Sequence, residues 1–366
     1  MRILISGGGT GGHIFPAIAV ADALKDWDEN CEILFIGAEG RMEMEKIPKA
    51  GYSIVGLPIS GIQRKLSLRN AMVPLRLIES LWKVRKVINK FKPDVAFGVG
   101  GYASAPAIKM AQWMNIPTAL LECNNFPGMA NKWLAKKAVR IFVAYREMDR
   151  FFPKEKLIIT GNPIRKDIRS LSNKKEEAKR FFDWGQSKKT LLFFGGSLGA
   201  RTINQAVRDA AGFFKERNDL FAIWQTGKNH ASYLESETAK LPNVRAMQFI
   251  DRMDLAYSIA DLVICRAGAL TISELSAVEK PAVLVPSPNV AEDHQTKNAA
   301  YLVEREAAAM VSDAEVREFL IPKIRDLIKD EKQLEKFSKN IKREARPDAA
   351  EQIAGELVKL IKSEKI

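Results

Sequence analysis

MRILISGGGTGGHIFPAIAVA, residues 1–21, decides how the rest of the chain is read. Ile3–Ser6 is a short apolar run that predicts a buried strand. Ile14–Lys25 carries a helical pattern. Between them lies Gly7-Gly8-Gly9-Thr10-Gly11-Gly12-His13. Glycines let a backbone come close to a bulky anion, and the amides at a helix start point toward it. Gly7-x-Gly9-x-x-Gly12 also fits a dinucleotide fingerprint, which wants an acid at the end of the second strand. Glu39 is only a rough candidate for that acid. A bare structural turn is the plain alternative. His13 falls in the first helical turn, where the helix dipole disfavours imidazolium. A neutral His there can serve as base or donor, or it can simply cap or pack.

Outward from this unit the pattern repeats. Glu32–Gly37, Val95–Gly98, Thr118–Leu121, Ile141–Val143 and Leu157–Thr160 read as further strands, and their continuous apolar character suits a parallel sheet covered on both faces. The scheme restarts after a charged helix at Ser172–Phe182. Thr190–Phe194 is a strand, Gly195-Gly196 a turn, and Arg201–Arg217 a helix. Strands at Phe221–Gln225, Leu262–Cys265 and Ala282–Val285 follow. The prediction is an α/β chain of two Rossmann-like, doubly wound domains facing each other across a cleft, residues 1–162 and 163–347. The turn triplet Gly161-Asn162-Pro163 marks the boundary. The final helix, about Asp348–Lys362, follows Pro347 and is expected to pack back on the first domain.

The 366 residues suit two domains. Hydrophobic residues are 46% and charged residues 28%, which excludes disorder and collagen as the main state. Lys plus Arg is 57 against 44 acids, a net charge of +13, so an anionic partner is expected. Cys31, Cys123 and Cys265 are odd in number and widely spaced. They imply neither a disulfide framework nor a zinc site, and a reducing compartment fits. The glycine run begins too early for a signal-peptide apolar segment, and nothing is long and apolar enough to span a bilayer. A soluble cytoplasmic protein, or one seated on a membrane surface, is expected.

Three further glycine or small-residue turns follow strands. Gly98-Val99-Gly100-Gly101-Tyr102-Ala103-Ser104-Ala105-Pro106 offers a second amide set in the first domain, and two such loops at neighbouring strand ends suggest a diphosphate ligand. Gly195-Gly196-Ser197-Leu198-Gly199-Ala200 reads as a phosphate loop. It also contains GxSxG, the nucleophile elbow of α/β-hydrolases, which would need His230 or His294 as base. Cys265-Arg266-Ala267-Gly268-Ala269-Leu270-Thr271-Ile272-Ser273-Glu274 opens a helix. Thr271 and Glu274 could form a capping box there, or Glu274 could accept from ribose hydroxyls. Asp293-His294-Gln295-Thr296-Lys297-Asn298 suits sugar hydroxyls. Asp26-Trp27-Asp28 is formally a metal-nucleotide DxD but sits in a charged surface turn. No metal-ligand spacing stands out.

Residues 64–92 hold Arg64, Lys65, Arg69, Arg76, Lys83, Arg85, Lys86, Lys90 and Lys92 against a single acid, Glu79. Met72, Leu75, Leu77, Ile78, Leu81 and Trp82 lie among them. A basic amphipathic helix with Trp and Leu reads as a membrane-surface element, which Trp113, Lys132, Trp133, Lys136 and Lys137 could extend. The bland alternative is a helix packing its apolar stripe on a sheet. Nucleic acid is disfavoured because no binding motif accompanies the charge.

Taken in order, these motifs resemble the MurG family of peptidoglycan N-acetylglucosaminyltransferases, which have the GT-B fold. The resemblance spans nearly the whole chain. It rests on GGGTGGHIFPAIAVA at 7–21, GVGGYASAP at 98–106, NKWLAK at 131–136 and GNPIR at 161–165. It continues with GGSLGAR at 195–201, FIDRM at 249–253, CRAGALTISE at 265–274 and HQTKNA at 294–299. It implies inverting transfer of GlcNAc from UDP-GlcNAc to the C4 hydroxyl of MurNAc on undecaprenyl-diphospho-MurNAc-pentapeptide. It places that transfer at the cytoplasmic face of the bacterial cell membrane, in cell-wall synthesis and division. The implied donor contacts are Ser197 to the diphosphate, the Ile250 backbone to uracil, and Ala269, Leu270, Thr271, Ile272, Ser273 and Glu274 to the nucleotide. Gln295 would hold GlcNAc hydroxyls, and Thr10, Gly11, Gly12, Asn124 and Arg165 would line the cleft. The acceptor diphosphate would meet Gly9, Gly11, Gly100, Gly101 and Tyr102. Leu75, Ile78, Trp82, Lys83, Lys86, Trp113 and Lys136 would form the patch on an anionic membrane. His13 is the first candidate base and Glu122 the second. No bound cofactor, metal or nucleic acid is implied; other cell-wall and division proteins are further expected partners. Cys123 and Leu198 stand where Gln is commoner in the family.

Overall fold

The computed structural model describes residues 1–59, 73–169, 171–184, 189–290 and 293–363. The chain divides into two compact units, one of Met1–Arg165 with Arg346–Ile366 and one of Lys166–Ala345.

In the first unit the strands are β1 (Arg2–Gly7), β2 (Glu32–Ala38), β3 (Ser53–Leu57), β4 (Val95–Gly100), β5 (Thr118–Glu122), β6 (Arg140–Val143) and β7 (Leu157–Ile159). They form one parallel sheet in the order β3-β2-β1-β4-β5-β6-β7. Ile3, Leu4, Ile5, Phe97, Leu120 and Phe142 are fully buried in it, because helices cover both faces. The chain winds from β1 outward to β3, then returns to place β4 on the other side of β1. That reversal leaves a crevice beyond the carboxyl ends of β1 and β4. The closing helix Ala349–Ser363 lies along the first helix, Gly11–Trp27. Trp27 rests there over Gly355, so Asp26-Trp27-Asp28 is a helix end and turn.

The second unit repeats the plan with β8 (Lys189–Phe194), β9 (Leu220–Gln225), β10 (Val244–Met247), β11 (Leu262–Cys265), β12 (Ala282–Leu284) and β13 (Ala309–Met310). Their order is β10-β9-β8-β11-β12-β13, again all parallel. The reversal falls between β8 and β11. Trp224, Tyr257, Phe193 and Phe214 are among its largest buried side chains.

The α/β doubly wound reading holds for both units, with three strands added. β3, β10 and β13 are the ones the sequence does not announce, and each is at a sheet edge. An edge strand is half-covered, so it lacks the continuous apolar run that marks the central ones. The helix expected over 201–217 is two, Arg201–Asp209 and Ala211–Lys215, broken at Ala210. Of the basic stretch, residues 64–72 lie outside the described residues; the rest is a helix over Val73–Phe91.

Candidate active site

The glycine loop of the first unit sits at the reversal between β1 and β4. Gly9 takes φ +90° and Thr10 is extended, which swings the chain into the helix. His13 N and Ile14 N both donate to Thr10 O, at 3.1 and 3.2 Å. The amides of Gly11 and Gly12 therefore precede the first intrahelical acceptor and face outward at the positive helix end. The second glycine turn packs directly against the first. Gly101 has φ +80°, and a Cβ there would lie 2.3 Å from Gly8 O. A Cβ on Gly100 would lie 2.9 Å from Cε1 of His13, so the imidazole rests on the Gly100 backbone. The Tyr102 ring covers Gly9. Arg41 hydrogen-bonds the Tyr102 hydroxyl, and burial holds that phenol above its usual range, so it stays neutral. Thus Gly9, Gly11, Gly12, His13, Gly100, Gly101 and Tyr102 form one cluster. Thr10 is exposed at its rim.

Glu122 ends β5, beside β4, and is buried. Its Oε1 accepts from Asn124 N (3.0 Å) and Asn124 Nδ2 (3.2 Å). Its Oε2 accepts from Gly128 N (3.1 Å) and Asn131 Nδ2 (2.9 Å). Four donors on one carboxylate make it the clamp of the 123–131 turn, and they fix where Asn124 stands. Cys123 is buried, with its thiol 3.9 Å from Gly12 O. Burial, then the charge of Glu122, push that thiol far up. The Arg165 guanidinium lies 5.1 Å from the Phe15 ring, which in turn covers Gly11.

Glu39, the rough candidate for a ribose acid, is exposed and pairs with Lys83 at 2.8 Å instead. The acid that reaches the glycine loop is Glu43, which the sequence reading missed. It is fully buried and accepts from Gly9 N (3.0 Å) and Ala38 N (3.1 Å). The Gly9 amide is therefore already committed. The available signal was its place, just beyond the second strand of a glycine-loop unit.

In the second unit the loop after β8 meets the loop after β9. Gly196, Gly199 and Gly227 all have positive φ. A Cβ on Gly199 would lie 2.1 Å from Thr226 O, so only glycine fits between these backbones. Lys228 N donates to Ser197 O at 3.0 Å. Gln225, also missed, is the tie: its Nε2 donates to Gly196 O (3.0 Å) and its Oε1 accepts from Ile250 N (2.9 Å). The Ile250 amide is thereby used. The strand–turn–helix is present, and among the described residues no hydrogen bond joins Ser197 Oγ to His230 or His294.

The helix after β11 is Ala269–Ala277, and its cap is Gly268, not Thr271. The capping-box expectation is corrected: Thr271 lies inside the first turn, and Ile272 N already donates to Gly268 O at 3.0 Å. The Ile272 side chain is in the core, Leu270 is half-buried, and Ser273 Oγ donates to Ala269 O. Glu274 is nearly buried, and its Oε2 accepts from the Tyr257 hydroxyl at 3.1 Å. The Gln295 Oε1 accepts from Ser287 N at 2.9 Å, while Asn298 is spent on Ala267 O. Arg266 ties the turn down through Asp313, Thr202 and the carbonyls of Val285 and Pro286. Among the described residues no three His, Cys, Asp or Glu side chains gather as a metal site.

The helix Val73–Phe91 presents two apolar faces. Ser80, Val84 and Ile88 point inward, four apart. Leu75, Ile78 and Trp82 point outward, 65%, 54% and 60% exposed. The helix therefore packs one side on the core and leaves apolar side chains exposed on the other. Trp113 is exposed on the neighbouring helix Ser104–Trp113, and Lys109 Nζ sits over the Trp113 and Trp133 rings at 5.5 and 4.3 Å. Lys86 and Lys136 are exposed, while Lys83 is half-buried and paired with Glu39. No helix among the described residues is long and apolar enough to cross a membrane.

Comparison with known proteins follows the same two-part plan. The glycosyltransferase family 28 N-terminal domain matches residues 3–143, and the family 28 C-terminal domain matches residues 190–353. The chain is 50% identical over 363 residues to the UDP-N-acetylglucosamine–N-acetylmuramyl-(pentapeptide) pyrophosphoryl-undecaprenol N-acetylglucosamine transferase of Bacteroides fragilis, covering 98% of this chain and 96% of that one. It is 52% identical to the transferase of the same name from Parabacteroides distasonis, over 98% of each. Among solved structures, Acinetobacter baumannii MurG aligns at a TM-score of 0.75 and 27% identity, covering 98% of this chain and 99% of that one. A UDP-GlcNAc 2-epimerase from Neisseria meningitidis shares the fold at 0.68 and 17% identity, covering 98% of this chain and 100% of that one. Two glycine-turn units, one per family domain, and half-identity over full length leave one assignment: the chain belongs to glycosyltransferase family 28 and, within it, to the MurG family.

Proposed function

We propose that this chain transfers GlcNAc from UDP-GlcNAc to the C4 hydroxyl of MurNAc on undecaprenyl-diphospho-MurNAc-pentapeptide, with inversion at the anomeric carbon. The observation that carries this reading is the identity of 50% and 52%, across both family domains, to transferases named for that donor and acceptor. The first unit takes the acceptor and the second the donor. His13 accepts the C4 hydroxyl proton, the hydroxyl oxygen attacks C1, and the C1–O bond to the diphosphate breaks with the electron pair leaving on UDP. His13 is preferred over Glu122, whose four hydrogen bonds are already spent holding its turn.

Outward amides at Ala269, Leu270 and Thr271, with Ser197, meet the departing diphosphate. Glu274 accepts from the ribose, held in place by Tyr257. A uracil contact through Ile250 uses its carbonyl, since its amide serves Gln225. Gln295 offers its amide nitrogen to GlcNAc hydroxyls, its oxygen being taken by Ser287. On the acceptor side Gly11, Gly100, Gly101 and Tyr102 meet the lipid diphosphate, while Thr10, Gly11, Gly12, Asn124 and Arg165 reach the donor. Gly9 shapes this loop rather than donating to the ligand. Leu75, Ile78, Trp82 and Trp113, flanked by Lys83, Lys86 and Lys136, seat the protein on the anionic cytoplasmic face of the cell membrane, where the acceptor lies.

The test is transfer of radiolabelled GlcNAc to a short-chain analogue of the lipid-linked acceptor, with UDP-GalNAc in parallel. Lipid-extractable label from UDP-GlcNAc alone is expected. No label from either donor, in protein that still binds UDP, overturns the acceptor assignment.

A further inference from the structure

We infer that Glu43 is a positioning residue for the transfer, holding the 7–13 loop so that His13 and the Gly11 amide address the acceptor; this rests on the function proposed above. Glu43 opens the helix Glu43–Lys49 and is fully buried. One carboxylate oxygen accepts from Gly9 N at 3.0 Å and the other from Ala38 N at 3.1 Å, so it joins the glycine loop to the end of β2. Two glycines make room for it. A Cβ on Gly8 would lie 2.2 Å from Oε1 of Glu43, and a Cβ on Gly37 would lie 2.6 Å from its Cγ. Neither is among the glycines with positive φ, so space for Glu43, not backbone conformation, is what requires glycine there.

The carboxylate braces the loop from one side. From the other, Gly101 presses on Gly8 O and the Tyr102 ring on Gly9. The loop is thus wedged at Gly8-Gly9, immediately before the residues proposed to act. A buried carboxylate beside an anion site adds unfavourable charge. Accepting from the Gly9 and Ala38 amides is what offsets that cost here. Removing one acceptor leaves Gly9 free to rotate, and small misplacement of reacting groups is costly in rate.

The experiment measures steady-state transfer against the acceptor analogue at saturating UDP-GlcNAc, UDP affinity by calorimetry, and Tm. The variants are Glu43→Gln, Glu43→Asp and Gly8→Ala, with Tyr52→Phe as a control for local stability. Tyr52 donates to Asp22 at 2.6 Å in the same unit, away from the loop. Glu43→Gln is expected to lower kcat/KM for the acceptor about 10- to 100-fold with UDP affinity unchanged. Gly8→Ala is expected to reproduce this defect with the carboxylate intact, and Glu43→Asp to recover part of the loss. Tyr52→Phe is expected to lower Tm alone. Acceptor kinetics in Glu43→Gln and Gly8→Ala equal to wild type, with only Tm reduced, would overturn the inference. A wild-type protein that transfers nothing would instead overturn the function on which it rests.

Discussion

Replacing Leu75, Ile78 and Trp82 together by Gln isolates the apolar contribution of the outward face of the helix Val73–Phe91. Fully burying a side chain of this size gains ~1.5–3 kcal/mol. Their exposures of 65%, 54% and 60% set the fraction still to be gained on entering an interface. Together they give about 3–5 kcal/mol, which is roughly 10²- to 4 × 10³-fold in partitioning. Lys86 and its neighbours add about 1 kcal/mol per cation on anionic lipid, a contribution that salt removes. The assay is sedimentation with vesicles of mixed zwitterionic and anionic lipid, at low and high salt. The triple variant should lose most binding at both salt levels and keep its Tm, because exposed positions contribute within ~0.5 kcal/mol to stability. Wild-type partitioning by the triple variant would refute the reasoning, and a drop in Tm of several degrees would show that these side chains serve the core.

Three further outcomes are expected. His13→Ala should lower kcat about 10²- to 10⁴-fold while UDP affinity stays at the wild-type value, measured by transfer kinetics and calorimetry; equal turnover would remove His13 as the base. Burial would raise the Asp254 carboxyl, but hydrogen bonds from Arg252 and Lys174 outweigh it and hold it at about 2. A depressed folded-state value stabilises above the unfolded value near 4 and is lost as pH falls toward 2, so the second unit should lose about 2 kcal/mol across that window. Asp254→Asn should flatten the acid arm of Tm against pH; an unchanged arm would contradict the pairing. Cys31, Cys123 and Cys265 are buried free thiols, and burial raises each above its ordinary range, so a thiol reagent at pH 8 should label unfolded but not native protein.

What could be read in advance follows from how local each signal is. The central strands announce themselves because both faces are covered, and Ile3–Ile5 or Leu191–Phe194 therefore run apolar without a break. The glycine turns are visible because their residues need positive φ or backbone contact, as at Gly9, Gly101 and Gly199. The edge strands β3, β10 and β13 were not legible, being short and half-covered. Partners across the fold were equally hidden. Nothing near Gly9 in sequence marks Glu43, 34 positions away, as its acceptor. Nothing in Gly195–Ala200 marks Gln225, which holds that loop to Ile250. Thr271 looked like a cap because Thr and Glu are spaced as a capping box. The helix is capped instead by Gly268, and Glu274 turns inward to Tyr257.

The most direct test of the central claim is the structure of the product. The acceptor analogue should be incubated with UDP-GlcNAc and this protein, and the lipid-linked product examined by mass and by the coupling of its new anomeric proton. A single added GlcNAc, β-configured and joined to C4 of MurNAc, with UDP released, is the predicted result. An α linkage, a different attachment point, or free GlcNAc with no lipid-linked product would contradict it.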